Sequence, residues 1–398
     1  MKINEPHLFI ELNDKYFIFL VVQYNEELEF KVLHSNFVPS GGIIKGKIID
    51  INISKSIIKE NLDSIEKKIK FIFRFATLIS DQEDFTCTNI SGFKKLSGSQ
   101  IQNEDILYIL NNTKKVVTEN EPEKSLVHLF NSNFTLDKDD LDKIPIGLHG
   151  ELYNQHMTFF LLPKINLQNM KLVLNNCDID IERIIFKPFA TGIHFINHNV
   201  SEKKFIKINI EKFTTNISVF ENKSFIYYES FPFGTDMILK DLSKICSLNL
   251  MEVRTILDNV NFDNISSESN ETYLSKDFFK QSLYRKISLG HMKNVIMARL
   301  DEIIDIIFNK NINLDYIKTY NKFIHLSLED QKIANNLRTS FTKSFPHDLR
   351  VLMAKLTQHE HACLASAELM GKGWEKEAIP IIQTKKSLIS RIFSSIFD

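Results

Sequence analysis

The chain has 398 residues, 43% of them hydrophobic and 25% charged, which is material for roughly two to three domains with cores of their own. Its 49 lysines and arginines balance 50 aspartates and glutamates, so there is no global field of the kind that coats nucleic acid, and a charged partner must be met locally. Cys87, Cys177, Cys246 and Cys363 lie far apart without a CxxC pair and read as reduced thiols of a cytosolic protein. No apolar run reaches signal or membrane-spanning length, and only 12 glycines leave few places for close backbone approach to phosphate.

Residues 7–22 and 28–38 read as strands, followed by the turn "VPSGGIIKGKIID". A helix is expected from Ser54, which serves as its cap, with Ile58, Leu62, Ile65, Ile69 and Ile72 on one face. Residues 81–157 change character and suggest a small separate lobe with a helix at "NEDILYILNNTKK". Beyond it, "LQNMKLVLNNC" reads as helix, and "IERIIFKPF", "KKFIKINI", "TTNISVF" and "FIYYESFPF" read as strands. Gly234-Thr235-Asp236 opens a helix with Ile238, Leu242 and Ile245 inward, "DNVNFDNISSESNET" reads as a surface loop, and a long helix carries Met292, Ile296, Arg299, Ile303 and Ile307. The order is α/β with insertions.

At the end of the chain, "KKSLISRIFSSIFD" places Leu388, Ile389, Ile392, Phe393, Ile396 and Phe397 in one apolar stripe. Lys385, Lys386 and Arg391 face away with the serines. Gly371, Gly373 and Pro380 precede this amphipathic helix as a linker. The pattern alone suits a membrane surface and a docking helix equally; one such helix is a weak, reversible anchor, and several on one assembly hold by multivalency.

Four stretches resemble the bacterial cell-division FtsA family, in the same order over nearly the whole chain. They are "SNFVPSGGIIKGKIIDINISKSI", "IQNEDILYILNNTKK", "KIPIGLHGELYNQHMTFFLLPKINLQNMKLVLNNCDIDIERIIFKPFATG" and "FPFGTDMILKDLSKI", with anchors at Pro39, Gly147, Leu148, Gly150, Gly234 and Asp236. The resemblance implies an actin-like α/β fold of the duplicated ribonuclease H type, two-lobed around a nucleotide cleft, with an inserted small subdomain and a C-terminal amphipathic helix. It implies subdomain 1A over 1–80 and 158–195, the insert over 81–157, subdomain 2A over 196–240 and 2B over 241–318. Residues 319–370 then end 2A and return to 1A, 371–384 form a linker and 385–398 the membrane-targeting helix. Members bind ATP, self-associate into filaments, recruit divisome proteins and hold FtsZ, through its C-terminal peptide, at the inner face of the cytoplasmic membrane. The resemblance therefore favours the membrane reading of the tail, on an anionic surface.

Where the family has a phosphate loop with two aspartates, three glycines and a threonine, this chain has Asn209, Glu211, Lys212, Phe213, Thr214 and Asn216. Side chains of that size keep backbone amides from phosphate, Glu211 repels it, and the amides that replace the carboxylates are weaker ligands for Mg²⁺. In the first phosphate loop the matching positions are Glu11, Asn13 and Asp14, and the adenosine glycines fall at Ser327 and Leu328; Gly234 completes the vestigial set. The expectation is therefore that ATP hydrolysis is absent and that binding of ATP with Mg²⁺ is weak or lost. Lys212 is available to bridge Glu11. Lys293 and Arg299 are the candidates for contacting the FtsZ peptide, with an ion pair between Arg299 and Glu302 as the plain alternative. His359, His361 and Cys363 in "QHEHAC" read as the start of a helix in preference to a metal site. The rival readings of function are an active ATPase of this family and an actin-like protein of type IV pilus assembly.

Overall fold

Two hydrophobic runs that alternate poorly, as strands buried on both faces do, open the computed structural model. It describes residues 3–141, 143–199, 204–221, 224–266, 272–314, 323–346, 349–353 and 361–372. The chain divides into one unit of Met1–Ser201, Glu221–Tyr227 and Gln358–Asp398, and a second of Glu202–Phe220 and Tyr228–Thr357.

In the first unit, β1 (Pro6–Leu12) turns into β2 (Tyr16–Tyr24), followed by β3 (Phe30–Pro39) and the short pair β4 (Ile43–Ile44) and β5 (Lys47–Ile48). Helix α1 (Ile51–Ile69) buries Ile58, Leu62 and Ile65 as expected. Its cap is Asp50, whose carboxylate accepts from the Ile53 amide, and not Ser54; the Ser54 hydroxyl is buried inside the helix and donates to the Gly41 carbonyl. The helix stops at left-handed Lys70, so Ile72 lies beyond the apolar face and is 66% exposed. Strand β6 (Phe75–Ser80) pairs parallel with β1.

The inserted lobe contains β7 (Thr86–Lys95), α2 (Asn103–Asn120), β8 (Lys124–Leu136), β9 (Asp139–Leu141) and β10 (Leu152–Pro163), with the sheet in the order β7-β10-β8-β9. Ile106, Ile109, Met157 and Phe159 sit in its core. A Cβ on Gly92 would come 2.3 Å from Ile109 Cγ2, so the glycine lets α2 lie close to the sheet. Strand β10 runs unbroken through residue 157 and leads to α3 (Lys164–Asn175) and β11 (Asp180–Phe186). The stretch "IERIIFKPF" is strand only to Phe186, because Lys187 opens α4 (Lys187–Asn199). The main sheet then reads β11-β6-β1-β2-β3. Phe130, Phe160, Phe186, Phe189 and Phe225 form a buried aromatic cluster in which Phe160 and Phe225 stack at 4.5 Å.

The second unit carries β12 (Lys204–Ile210), β13 (Thr215–Glu221) up to Phe220 and the Tyr228–Phe231 end of β14 (Ser224–Phe231), then α5 (Asp236–Ile245), α6 (Leu250–Asn259) and α7 (Leu289–Ile304). It continues through β15 (Phe323–Leu328), α8 (Gln331–Asn336), α9 (Arg338–Lys343) and β16 (Arg350–Met353), giving the sheet order β14-β13-β12-β15-β16. Ile238 and Leu242 face inward as expected, whereas Ile245, on the last turn of α5, is 54% exposed. The presumed surface loop is partly structural: α6 runs to Asn259, and Phe262 is buried in a 3₁₀ turn whose Asp263 carboxylate accepts from the Thr339 and Ser340 amides. Ile307 sits in a π turn, Asp305–Asn309, that continues α7.

Back in the first unit, α10 (His361–Gly371) packs by Ala367, whose carbonyl accepts from Tyr24 Oη at 2.8 Å, and by Glu368, 2.7 Å from His194 Nδ1. "QHEHAC" thus leads into a helix, with Cys363 buried in it; His359 lies outside the described residues. The expected terminal helix, Lys385 to Asp398, also lies outside them, with most of its linker. Among the described residues no helix is long and apolar enough to cross a membrane.

Glu252 shows how an acid is held in the second unit. Burial opposes its charge, but it accepts from the amides of Gln281, Ser282 and Asn249 and from the Ser282 hydroxyl, and these bonds prevail, bringing its carboxyl down to about 2. A depressed folded-state pKa gives stability that is present above the ordinary value of 4.5 and is lost as pH falls through about 2. Urea unfolding at pH 7 and pH 3 is expected to show a smaller acid loss in Glu252→Gln than in the parent, from a lower starting stability. An equal acid loss in both would remove Glu252 from this account.

Candidate functional site

The turn between β1 and β2 is closed by its own side chains. Asn13 Oδ1 accepts from the amides of Lys15 and Tyr16, both at 2.9 Å, the pattern that makes asparagine a turn former. Asp14 accepts from the amides of Lys45 and Gly46 at 2.6 and 2.7 Å, fastening the turn to the β4–β5 connection. Glu11 is 1% exposed; its Oε1 accepts from Asn13 Nδ2 at 2.9 Å and lies 3.0 Å from Lys187 Nζ, while Oε2 has no hydrogen-bond partner. Lys187 also reaches Asp81 at 2.6 Å. The cation met by Glu11 within its unit is therefore Lys187, a residue the sequence reading passed over.

In the second unit the tip of the β12–β13 hairpin is tied as tightly. The Glu211 carboxylate accepts from Asn209 Nδ2 at 2.8 Å and from the Thr214 hydroxyl at 3.2 Å, so it folds back over its own turn. The Lys212 amide donates to the Glu329 carboxylate at 3.2 Å, and the Lys212 ammonium lies over the ring of Phe213, itself 59% exposed. Asn216 Oδ1 accepts from Tyr228 Oη, and Thr215 donates to the Phe233 carbonyl. Ser327 and Leu328 end β15 as buried residues; Asn209 and Ser327 are register partners, and Ser327 Oγ donates to Asn209 Oδ1 at 3.1 Å. Asn209, Glu211, Thr214 and Ser327 thus form one hydrogen-bonded network.

The same hairpin holds the start of α5. The amides of Thr235 and Asp236 donate to the carbonyls of Glu211 and Lys212, both at 2.9 Å, satisfying donors that a helix start leaves over. Gly234 is required by this contact: a Cβ there would lie 2.2 Å from the Glu211 carbonyl oxygen. The amides of Lys15, Tyr16, Lys45, Gly46 and Lys212 donate to side-chain oxygens, several of them anionic, and a phosphate at the hairpin would meet Glu211 and Glu329. Among the described residues no three histidine, cysteine or acidic groups converge as metal ligands.

The two peptide-contact candidates are engaged inside the second unit. Lys293 Nζ donates to the Ile265 carbonyl at 2.6 Å; Arg299 joins α7 to α5 through Asp241 and also bonds Glu302 at 2.6 Å. The bond to Asp241 raises the Arg299 pKa further above its ordinary value.

No family model matches the chain. It is 21% identical to the cell division protein FtsA of Buchnera aphidicola subsp. Schizaphis graminum over 286 residues, 71% of this chain and 67% of that protein. Against FtsA of Bacillus subtilis it is 22% identical over 272 residues, 68% of this chain and 61% of that one. Across FtsA relatives of this kind the matched stretch spans between 41% and 70% of their length. In fold it resembles the PilM-PilN type IV pilus biogenesis complex, with a TM-score of 0.55 at 10% identity, covering 92% of this chain and 99% of that one. The fold is the actin-like one expected from the sequence.

The contact between Gly234 and the hairpin sets a test of the site's architecture. Gly234→Ala is expected to lower stability by roughly 2–3 kcal/mol, because backbone carbonyls cannot give way as a flexible side chain can. Urea unfolding measures it; a loss below about 0.5 kcal/mol would mean the hairpin is not held against α5 in this way.

Proposed function

We propose that this chain, a divergent FtsA-like protein with the actin-like fold, is a cell-division scaffold without a working nucleotide cycle. In this reading it tethers FtsZ filaments, through their C-terminal peptide, to the inner face of the cytoplasmic membrane at the division site. It self-associates as an actin-like protomer and recruits other divisome proteins. The division role rests on the sequence similarity to FtsA proteins. The loss of the nucleotide cycle rests on one observation: the turn amides that would face phosphate donate to Asn13, Asp14 and Glu329 instead.

Scaffolding needs avidity more than turnover. Many weak tails on a polymer hold a membrane that a single tail leaves quickly, so a chain that still assembles retains function after its ATPase loops have gone. Lys293 and Arg299 remain the residues proposed to meet the FtsZ peptide, and a peptide carboxylate would compete with Asp241 and Glu302 for the guanidinium. A role in pilus assembly is the second reading; the structural likeness behind it concerns fold alone, and the sequence similarity favours division. Loss of septal signal on deleting residues 385–398 would support division, and unchanged localisation would favour the pilus reading.

Calorimetric titration of ATP with Mg²⁺ into the full chain is expected to give no heat, and nucleotide is expected to leave the melting temperature unshifted. Micromolar binding with a clear shift would overturn the nucleotide-free reading. For the tail, the protein is expected to co-sediment with anionic liposomes, and Phe393→Glu to abolish this, since a charge in the apolar stripe opposes burial in the interface. Undiminished sedimentation of the variant would make the terminal helix a docking element.

A further inference from the structure

A lysine at the first position of a helix is electrostatically misplaced, because helix starts favour anions, and the first turn of α4 has no acidic residue to offset Lys187. Its ammonium instead lies 3.0 Å from Glu11 on β1 and 2.6 Å from Asp81, which follows β6. Glu11 is almost fully buried, so its charge needs a counter-ion supplied from inside the unit. Asn13 contributes one neutral hydrogen bond to the same carboxylate oxygen. The nearby cations are engaged elsewhere: Lys45 with Glu83 at 3.1 Å and Lys47 with Asp84 at 2.5 Å.

We propose that Lys187 is the resident cation of a carboxylate site formed by Glu11 and Asp81, a covalently attached ammonium in a position suited to a small bound cation. The unit keeps its buried carboxylate neutralised without metal. The side chain is also a specificity element: while it is present the site takes no free cation, and when it is removed the site accepts a small ammonium ion or a divalent metal. This inference stands on the first unit alone and does not depend on the fate of nucleotide binding.

The test is thermal melting of the full chain and three variants in EDTA, in millimolar MgCl₂ and in ethylammonium chloride, against matched NaCl. The parent is expected to melt at the same temperature in all of them. Lys187→Met keeps the aliphatic stem and removes the charge; it is expected to melt roughly 10 °C lower. Lys187→Ala is expected to recover part of its loss in ethylammonium or Mg²⁺. Glu11→Gln/Lys187→Met is expected to melt well above Lys187→Met, because the stranded charge is gone. If the double variant melts no higher than Lys187→Met, or the parent is itself stabilised by Mg²⁺, the proposal fails. Should Lys187→Ala not fold, the Met and double variants decide alone. Heat from ATP in the parent would overturn the nucleotide-free reading and leave this result standing.

Discussion

A backbone amide must donate to something, and in the β1–β2 turn and at the tip of the β12–β13 hairpin several acceptors are side chains of the same chain. The capture of turn amides by Asn13, Asp14 and Glu329 shapes the loops, anchors the β1–β2 turn to the β4–β5 connection and sets the end of β15 beside the β12–β13 hairpin. An anion arriving at these loops would have to displace charge-assisted bonds that cost it nothing in a glycine-rich loop. A carboxylate delivered by the chain itself loses no translational freedom on binding.

Several of the few glycines sit where backbone meets backbone or helix meets sheet. Gly42 has a φ of +72° and no room for a Cβ beside the Asp50 carbonyl, Gly92 admits α2 to its sheet, and Gly234 admits the hairpin carbonyls. Glycine has thus been kept for packing and turn geometry, while the positions matched to phosphate and adenosine loops carry side chains that bond to one another.

Much of this was legible in the sequence because periodicity reports burial. The faces of α1 and α5 and the pairing of β12 with β13 follow from apolar spacing and turn residues. The errors arose where a local bond outranked a pattern. Asp50, four residues before the expected start, caps α1 because its carboxylate accepts from the Ile53 amide ahead of it. Ile72 continues the heptad-like spacing past a helix that Lys70 has already ended. Phe262 was hidden in a polar stretch whose Asp263 is spent on the α9 amides. At the site, the altered loop residues were evident, but their mutual hydrogen bonds were not, since Asn209 and Ser327 lie more than a hundred positions apart. Lys187 left one faint signal, a positive charge at a helix start with no acidic neighbour in its first turn.

The hairpin grips α5 through two main-chain carbonyls, so that joint makes no demand on the identity of residues 211 and 212 beyond a glycine opposite. Substitutions could accumulate at those two positions without loosening the helix. A joint written in backbone atoms lets the side chains of such a loop change step by step, with each intermediate still folded.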